Sequence, residues 1–181
     1  MRRVAVIGLL LALGLWLVPA ARAASAVEVD AAVQSALARF YQEVPTGREL
    51  AGKAKAMLVF PNVVKAGFGI GGEYGEGALR VGGRTVGYYN TVAASIGLQI
   101  GAQARSEVIL FMTDDALAQF QASDGWEVGI DGSVALVKVG VAGEIDTTSA
   151  LNEPVIGFIY GEQGLMANLS LEGTKISRLE K

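Results

Sequence analysis

The feature that most limits the fold is a glycine-dense segment that is also apolar. Eleven glycines fall within residues 67–101, interleaved with aliphatic and aromatic residues instead of the serines and prolines of a flexible linker. A segment with so many glycines and so much to bury predicts short, tightly curved strands whose backbones approach one another closely. We assign a structural glycine motif to the start of this segment, at Gly67, Gly69, Gly71 and Gly72.

Apolar periodicity predicts three helices. Apolar residues recur at three- and four-residue steps over residues 27–44, and a second, shorter helical pattern covers residues 46–57. Thr113, followed by two aspartates, predicts the cap of a third helix that ends near residue 122.

The rest of the chain reads as strands. Gly82-Gly83 predicts a hairpin turn. The apolar runs and glycine breaks predict roughly nine or ten short strands, among them one over residues 58–60 that ends at Pro61 and one over residues 165–171. We therefore expect an α+β fold that is mainly β: an antiparallel glycine-rich barrel or strongly curled sheet, with two N-terminal helices and one short inserted helix.

The N-terminal segment has the pattern of a signal peptide. Two arginines precede an uninterrupted apolar run over residues 4–18, and small residues occupy the cleavage positions at 21–23. The run is shorter than the ~20 residues that a membrane-spanning helix needs. We expect cleavage near Ala23 and export to the periplasm or the cell exterior, leaving one domain: a helical lead-in at 24–57 and a β-rich core at 58–181.

The composition excludes the commonest catalytic groups. The chain has no histidine and no cysteine, which removes the usual general base near neutral pH, the Ser–His dyad, thiol chemistry and most zinc sites. Residues 67–72 match the letters G-x-G-x-x-G, but carboxylates and further glycines follow where a dinucleotide site needs a helix. Nothing in the sequence places Glu73 and Glu76 across a cleft, as a hydrolase would require. We expect no catalytic residue, no metal site and no cofactor.

The charge distribution indicates a candidate binding surface. Without Arg2, Arg3 and Arg22, Lys+Arg falls from 15 to 12 against 18 Asp+Glu, so the mature net charge of −6 disfavours nucleic acid. Residues 39–65 nevertheless hold five basic and two acidic side chains. Each Lys or Arg contributes about 1 kcal/mol at an anionic membrane surface. The residues that we assign to a lipid-binding basic patch are Arg48, Lys53, Lys55 and Lys65; the alternative is an ordinary solvated helix face.

Four segments resemble the SYLF lipid-binding family. They are AKAMLVFPNVVKAGFGIGGEYGEGALR (54–80), SIGLQIGAQ (95–103), ILFMTDDALAQF (109–120) and SLEGTKI (170–176). The resemblance implies binding to phospholipid headgroups, with actin binding in some eukaryotic members, and no enzymatic activity. The chain ends at Glu180-Lys181 without the aromatic-glycine tail of the eukaryotic pattern. Together with the expected export, this favours an anionic phospholipid membrane surface as the partner and makes actin an unlikely one.

The sequence is compatible with two other binding functions. A barrel interior could carry one acyl chain, in which case an internal apolar cavity is expected. Alternatively, a structural envelope protein would act through a protein partner, with Tyr88, Tyr89 or Trp126 exposed at a sheet edge.

Overall fold

The computed structural model describes residues 23–139, 152–164, 171 and 173–181. Within them it has three helices and six strands, and the strands form one mixed sheet curled into a half-barrel. The α+β, mainly β class is thereby confirmed. The expected signal peptide, up to residue 22, and most of the strand predicted at 165–171 lie outside the described residues.

The first helix, α1 (Ala26–Glu43), forms where the apolar period predicted it. Ser25 and Glu28 build a capping box at its start: the Glu28 N–H donates to the Ser25 hydroxyl at 3.3 Å, and the Ser25 N–H donates to the Glu28 carboxylate at 2.7 Å. Its buried face, which packs on the sheet, consists of Val29, Val33, Ala36, Leu37 and Phe40.

The other two helices are short. The second, α2 (Gly47–Lys53), is shorter than predicted because the chain enters the first strand at Ala56, so Lys55 lies in the connection. The third, α3 (Asp114–Ala122), begins after Thr113, whose hydroxyl accepts a hydrogen bond from the Ala116 N–H at 3.2 Å. This cap confirms the predicted start of the helix.

Two very long strands form the sheet's main hairpin. β1 (Ala56–Val81) has 26 residues and β2 (Arg84–Phe111) has 28, and they pair antiparallel. Gly82 and Gly83 form the turn with φ values of 55° and 81°, the left-handed conformation that a type I′ hairpin turn requires. The predicted hairpin turn is confirmed.

The expected series of nine or ten short strands is wrong within the described residues, because the chain continues through the positions that looked like breaks. Pro61 looked like the end of a strand, but it lies in a β-bulge. Phe60 pairs with Glu107 and Val63 pairs with Arg105, so β1 carries one extra residue there. A bulge tolerates proline because its extra residue does not need to donate a ladder hydrogen bond.

Four shorter strands complete the sheet: β3 (Trp126–Glu127), β4 (Ala135–Lys138), β5 (Val155–Gly164) and β6 (Lys175–Leu179). β6 pairs with the first part of β2 and β5 pairs with its last part, both antiparallel. β4 pairs with β5 in parallel, so the expectation of a wholly antiparallel sheet is wrong at this pair.

The hairpin bends back on itself, which gives the sheet an inner and an outer face. A Cβ atom on Gly77 would lie 2.1 Å from the Val59 carbonyl oxygen, so the two halves of β1 are in backbone contact. One apolar cluster, including Leu58, Phe60 and Ile109, fills the inner face at one end, and a second packs the outer face against α1. Near the bend, the inner face carries buried charged side chains and the outer face carries exposed apolar ones.

Candidate functional site

Three of the four residues assigned to the basic patch lie on the surface. Arg48 and Lys53 are exposed on α2 and Lys55 is exposed just after it. The Arg48 guanidinium lies 4.7 Å from the centre of the Tyr41 ring. We call Arg48, Lys53 and Lys55 the basic surface.

Two of the three cations of the basic surface are paired with carboxylates. Lys53 pairs with Glu49 at 2.6 Å, one helical turn away, and Lys55 pairs with Asp114 at 3.1 Å. The Lys53 pair lowers the pKa of Glu49 below its ordinary value, through its hydrogen bond and its charge. Both pairs are solvent-exposed, and such pairs are weak enough to exchange partners at a charged surface.

The structure places Lys65 elsewhere, which corrects its assignment to the patch. Its residue is 5% exposed and its ammonium lies 3.0 Å from the Glu73 carboxylate on the inner face. The bulge at Pro61 is the reason, because the extra residue reverses the alternation of side chains beyond it. Lys65 therefore cannot present its charge to a surface alongside the other three.

Lys65 belongs to a buried ion network that no residue pattern in the chain indicated. Glu73 accepts from Lys65 through one oxygen and from the Arg105 guanidinium through the other, at 2.5 Å. Arg105 also donates to Glu107 at 2.8 Å. All four side chains are at most 8% exposed, and they connect the two halves of β1 with β2 across the bend. We call these four residues the inner ion network.

Burial and mutual contact shift the pKa values of two members of this network. Burial raises the pKa of Glu107 above its ordinary value, although Arg105 opposes the shift. Burial alone would lower the pKa of Arg105, but Glu107 and Glu73 outweigh it and raise that pKa. Arg105 Nη1, Glu107 Oε2 and both amide atoms of Gln103 are buried without a hydrogen-bond partner in the part of the chain that the structure describes.

The glycine motif marks the bend. A Cβ atom on Gly67 would lie 2.4 Å from the Gly71 Cα, a contact that no other residue could make without moving the backbone. Pairing shifts register between Phe68 and Ile70, beside this contact. Gly72 is different, since a Cβ there would meet nothing closer than 3.7 Å.

The outer face near the bend is apolar and exposed. Near the bend, nine described positions of β1 and β2 face outward and none of them is charged, while Lys175 of β6 lies opposite Val92 at the edge of this surface. Ile70 is 76% exposed, and Val64, Tyr74 and Val92 are each more than 40% exposed. We call this surface the apolar face; its residues are Val64, Ala66, Ile70, Gly72, Tyr74, Val92, Ala94, Ala102 and Ala104.

An open groove of about 610 Å³ lies between the apolar face and the start of α1. Val64, Tyr74 and Val92 line one side, and the other side is lined by Ala24, Glu28, Val29 and Ala32. Glu76 marks the limit of the apolar face, where its carboxylate accepts hydrogen bonds from Lys181 and from the Tyr74 hydroxyl, each at 2.8 Å. Burial raises the pKa of Glu76, but these two hydrogen bonds outweigh it and hold that pKa below its ordinary value.

The two carboxylates that remained as acid–base candidates do not form a pair. Glu73 points into the inner ion network, whereas Glu76 lies on the outer face with Lys181. Residues three apart on a strand point to opposite sides of the sheet. Among the described residues, no group of three or more potential metal ligands comes together.

The aromatic residues considered for a protein partner are not presented at a free edge. Tyr89 and Trp126 are 6% and 3% exposed and belong to the inner core. Tyr88 is partly buried and donates a hydrogen bond to Asp30 of α1 at 3.0 Å. The expectation that they would be exposed is wrong, because Tyr89 and Trp126 pack against Phe120 of α3 and α1 contacts Tyr88.

One family model matches the chain. It is described as Ysc84, Las17-binding protein actin regulator, and it matches residues 92–181, from Val92 in β2 to the C-terminal residue. That range includes Arg105 and Glu107 of the inner ion network, whereas the basic surface precedes it. A search of curated proteins finds no match. No helix in the described ranges has the length and apolar character needed to cross a membrane.

Proposed function

We propose that this chain, which belongs to the SYLF (Ysc84) family, is an exported, non-catalytic lipid-binding module of the cell envelope. The family is one of binding domains, associated with lipids and with actin regulators. The observation that carries the proposal is the basic surface, three exposed cations grouped on and after α2 in a chain whose remainder is acidic. Anionic phospholipid headgroups are the ligand that this surface fits.

The basic surface supports weak, reversible adsorption. Three cations at about 1 kcal/mol each would favour an anionic membrane by about 3 kcal/mol, or roughly a hundredfold. Glu49 and Asp114 lie within ion-pair distance of two of these cations and reduce that value. Salt screens what remains, so adsorption is expected to fall steeply as ionic strength rises.

The described interior favours surface contact over an acyl-chain carrier. Aromatic and aliphatic side chains fill one end of the inner face, and the inner ion network occupies the other end. An acyl chain placed there would have to separate buried ion pairs, which is costly. The apolar groove lies on the outer side of the sheet instead.

Co-sedimentation with vesicles tests the proposal. The protein would be residues 24–181, which contain every described helix and strand, with phosphatidylcholine vesicles that contain or lack phosphatidylglycerol, at 50 and 500 mM salt. The variant Lys53→Glu/Lys55→Glu removes most of the basic surface. Arg84→Glu/Arg178→Glu is the matched control, because it changes the net charge equally at exposed positions, one beside the hairpin turn and one on β6.

We expect the protein to pellet with anionic vesicles at low salt, and the Lys53→Glu/Lys55→Glu variant to lose this binding while the Arg84→Glu/Arg178→Glu variant keeps it. Absence of binding to any vesicle would contradict the proposal and direct attention to a protein partner. Equal losses in both variants would show that net charge, and not the basic surface, governs adsorption.

A further inference from the structure

We propose that the apolar face inserts into the boundary between the headgroups and acyl chains of a phospholipid bilayer, as a second membrane contact separate from the basic surface. This inference rests on the proposed lipid-binding function. It concerns a different part of the molecule, and a different physical force.

The first argument is the reversed polarity of the bent hairpin. In water, a strand exposed on one face carries its charges outward and its apolar residues inward. Here the four charges of the inner ion network point inward, and the nine positions of the apolar face point outward. Lys65 and its neighbour Val64 show the reversal directly, at 5% and 42% exposure. Strands in contact with lipid have this alternation, with apolar side chains toward the acyl chains and polar ones away from them.

The second argument is that the apolar residues form one surface. Tyr74 pairs directly with Val92, Gly72 with Ala94 and Ala66 with Ala102, so their side chains are neighbours across the two strands. Isolated exposed apolar residues are ordinary, whereas a contiguous exposed patch marks an interaction surface. The adjacent groove extends this surface to Val29 and Ala32 of α1, with Glu28 at its margin.

The limits of the surface suit an interface between lipid and water. Tyr74 combines an apolar ring with a hydroxyl that bonds Glu76, and tyrosine is enriched at the headgroup level of membranes. Lys181 pairs with Glu76, which compensates the charge next to Tyr74, and Lys175 lies opposite Val92 at another edge of the face. The face is therefore bounded by groups that can remain among the headgroups while Ile70 and Val64 lie deeper.

A bilayer fits this face better than a second copy of the chain. A stable dimer interface takes about 20–30 residues from each partner, whereas the described part of the apolar face has nine, of which five are glycine or alanine. A fluid bilayer requires no matching shape, and membrane anchoring is commonly stable only when two weak signals act together. The basic surface supplies one weak signal and the apolar face supplies the other.

Ile130 provides a matched control for Ile70, because both are 76% exposed. The chain has no cysteine, so Ile70→Cys and Ile130→Cys each create one labelling site for the environment-sensitive fluorophore NBD. Each labelled protein (residues 24–181) would be mixed with anionic vesicles that contain or lack doxyl-labelled lipid. In parallel, Ile70→Glu and Ile130→Glu would be compared in vesicle binding at 50 and 500 mM salt, after circular dichroism confirms that both are folded.

We expect the probe at position 70 to shift to the blue on vesicles and to be quenched by doxyl lipid, and the probe at position 130 to do neither. Ile70→Glu is expected to weaken vesicle binding by at least about tenfold, since a charge facing lipid is unfavourable, and Ile130→Glu by less than about twofold.

Three results would overturn the inference. Vesicle binding by the wild type with no blue shift at position 70 would refute insertion and leave the basic surface as the contact. A dimer that Ile70→Glu dissociates, with vesicle binding unchanged, would assign the apolar face to a second copy. Absence of all vesicle binding would refute both proposals. In contrast, binding that survives Lys53→Glu/Lys55→Glu and high salt but is lost in Ile70→Glu would support the inference and refute the electrostatic proposal.

Discussion

Replacing Arg105 by methionine tests whether the inner ion network is buried and paired in solution. The Arg105 side chain is 1% exposed and bonds two carboxylates that are themselves 8% and 2% exposed. Arg105→Met retains much of the side-chain volume but leaves Glu107 without its cation and Glu73 with Lys65 alone. Breaking a buried pair from one side costs about 3–5 kcal/mol, which for a domain of this size lowers Tm by roughly 6–20 °C.

The double variant Arg105→Met/Glu107→Gln separates this cause from poor packing. It removes the orphaned charge while the Lys65–Glu73 pair stays in place, so we expect it to recover more than half of the lost free energy of unfolding. Arg84→Met, at an exposed position beside the hairpin turn, is the control and should change stability by less than about 0.5 kcal/mol.

Urea unfolding followed by circular dichroism at pH 7 measures all three variants. A loss of less than about 1 kcal/mol for Arg105→Met would refute the reasoning, since an ion pair exposed to solvent contributes no more than that to stability. Failure of the double variant to recover stability would place the loss in packing and not in uncompensated charge.

Three further predictions concern pH, close packing and capping. Burial raises the folded-state pKa of Glu107, so the contribution of Glu107 to stability is complete below its unfolded pKa of about 4.3 and is lost as pH rises through the folded value. Urea unfolding from pH 4 to 8 should therefore show the stability of the wild type falling relative to Glu107→Gln, and a constant difference would contradict this. Gly77→Ala places a Cβ 2.1 Å from a backbone oxygen and should cost about 1–3 kcal/mol, whereas Gly72→Ala, with 3.7 Å of space, should cost almost nothing; equal Tm values would refute the close approach. Thr113→Ala removes the cap of α3 and should cost about 0.5–2 kcal/mol, and a Thr113→Ser variant that is no more stable than Thr113→Ala would argue against the cap.

The elements set by local chemistry could be predicted from the sequence. Ser25 and Thr113 cap helices that start where their residue patterns indicate, and Gly82-Gly83 forms the hairpin turn because only such residues adopt its φ values readily. Each of these features depends on a few adjacent residues and on no distant part of the chain.

The placement of side chains beyond Pro61 could not be predicted. Counting alternate residues from Phe60, which points inward, would place Lys65 on the outer face, but the bulge adds a residue and turns Lys65 inward. Bulges depend on pairing with a partner strand 40 or more residues away, so no local pattern reveals them. The same bulge turns Val64 outward. For this reason Lys65 was wrongly assigned to the basic patch and the apolar face was not predicted.

The most direct test of the account is to map which residues of the protein contact lipid. Backbone-amide NMR of residues 24–181 would be recorded with anionic bicelles, with and without doxyl-labelled lipid, whose unpaired electron broadens nearby signals. We expect broadening at Val64–Tyr74, around Val92 and on α2, and none at the C-terminal end of α3 or around Ile130. Broadening centred on inner-face residues such as Leu58 and Ile109, or none in the presence of bound lipid, would contradict a membrane contact made through the outside of this sheet.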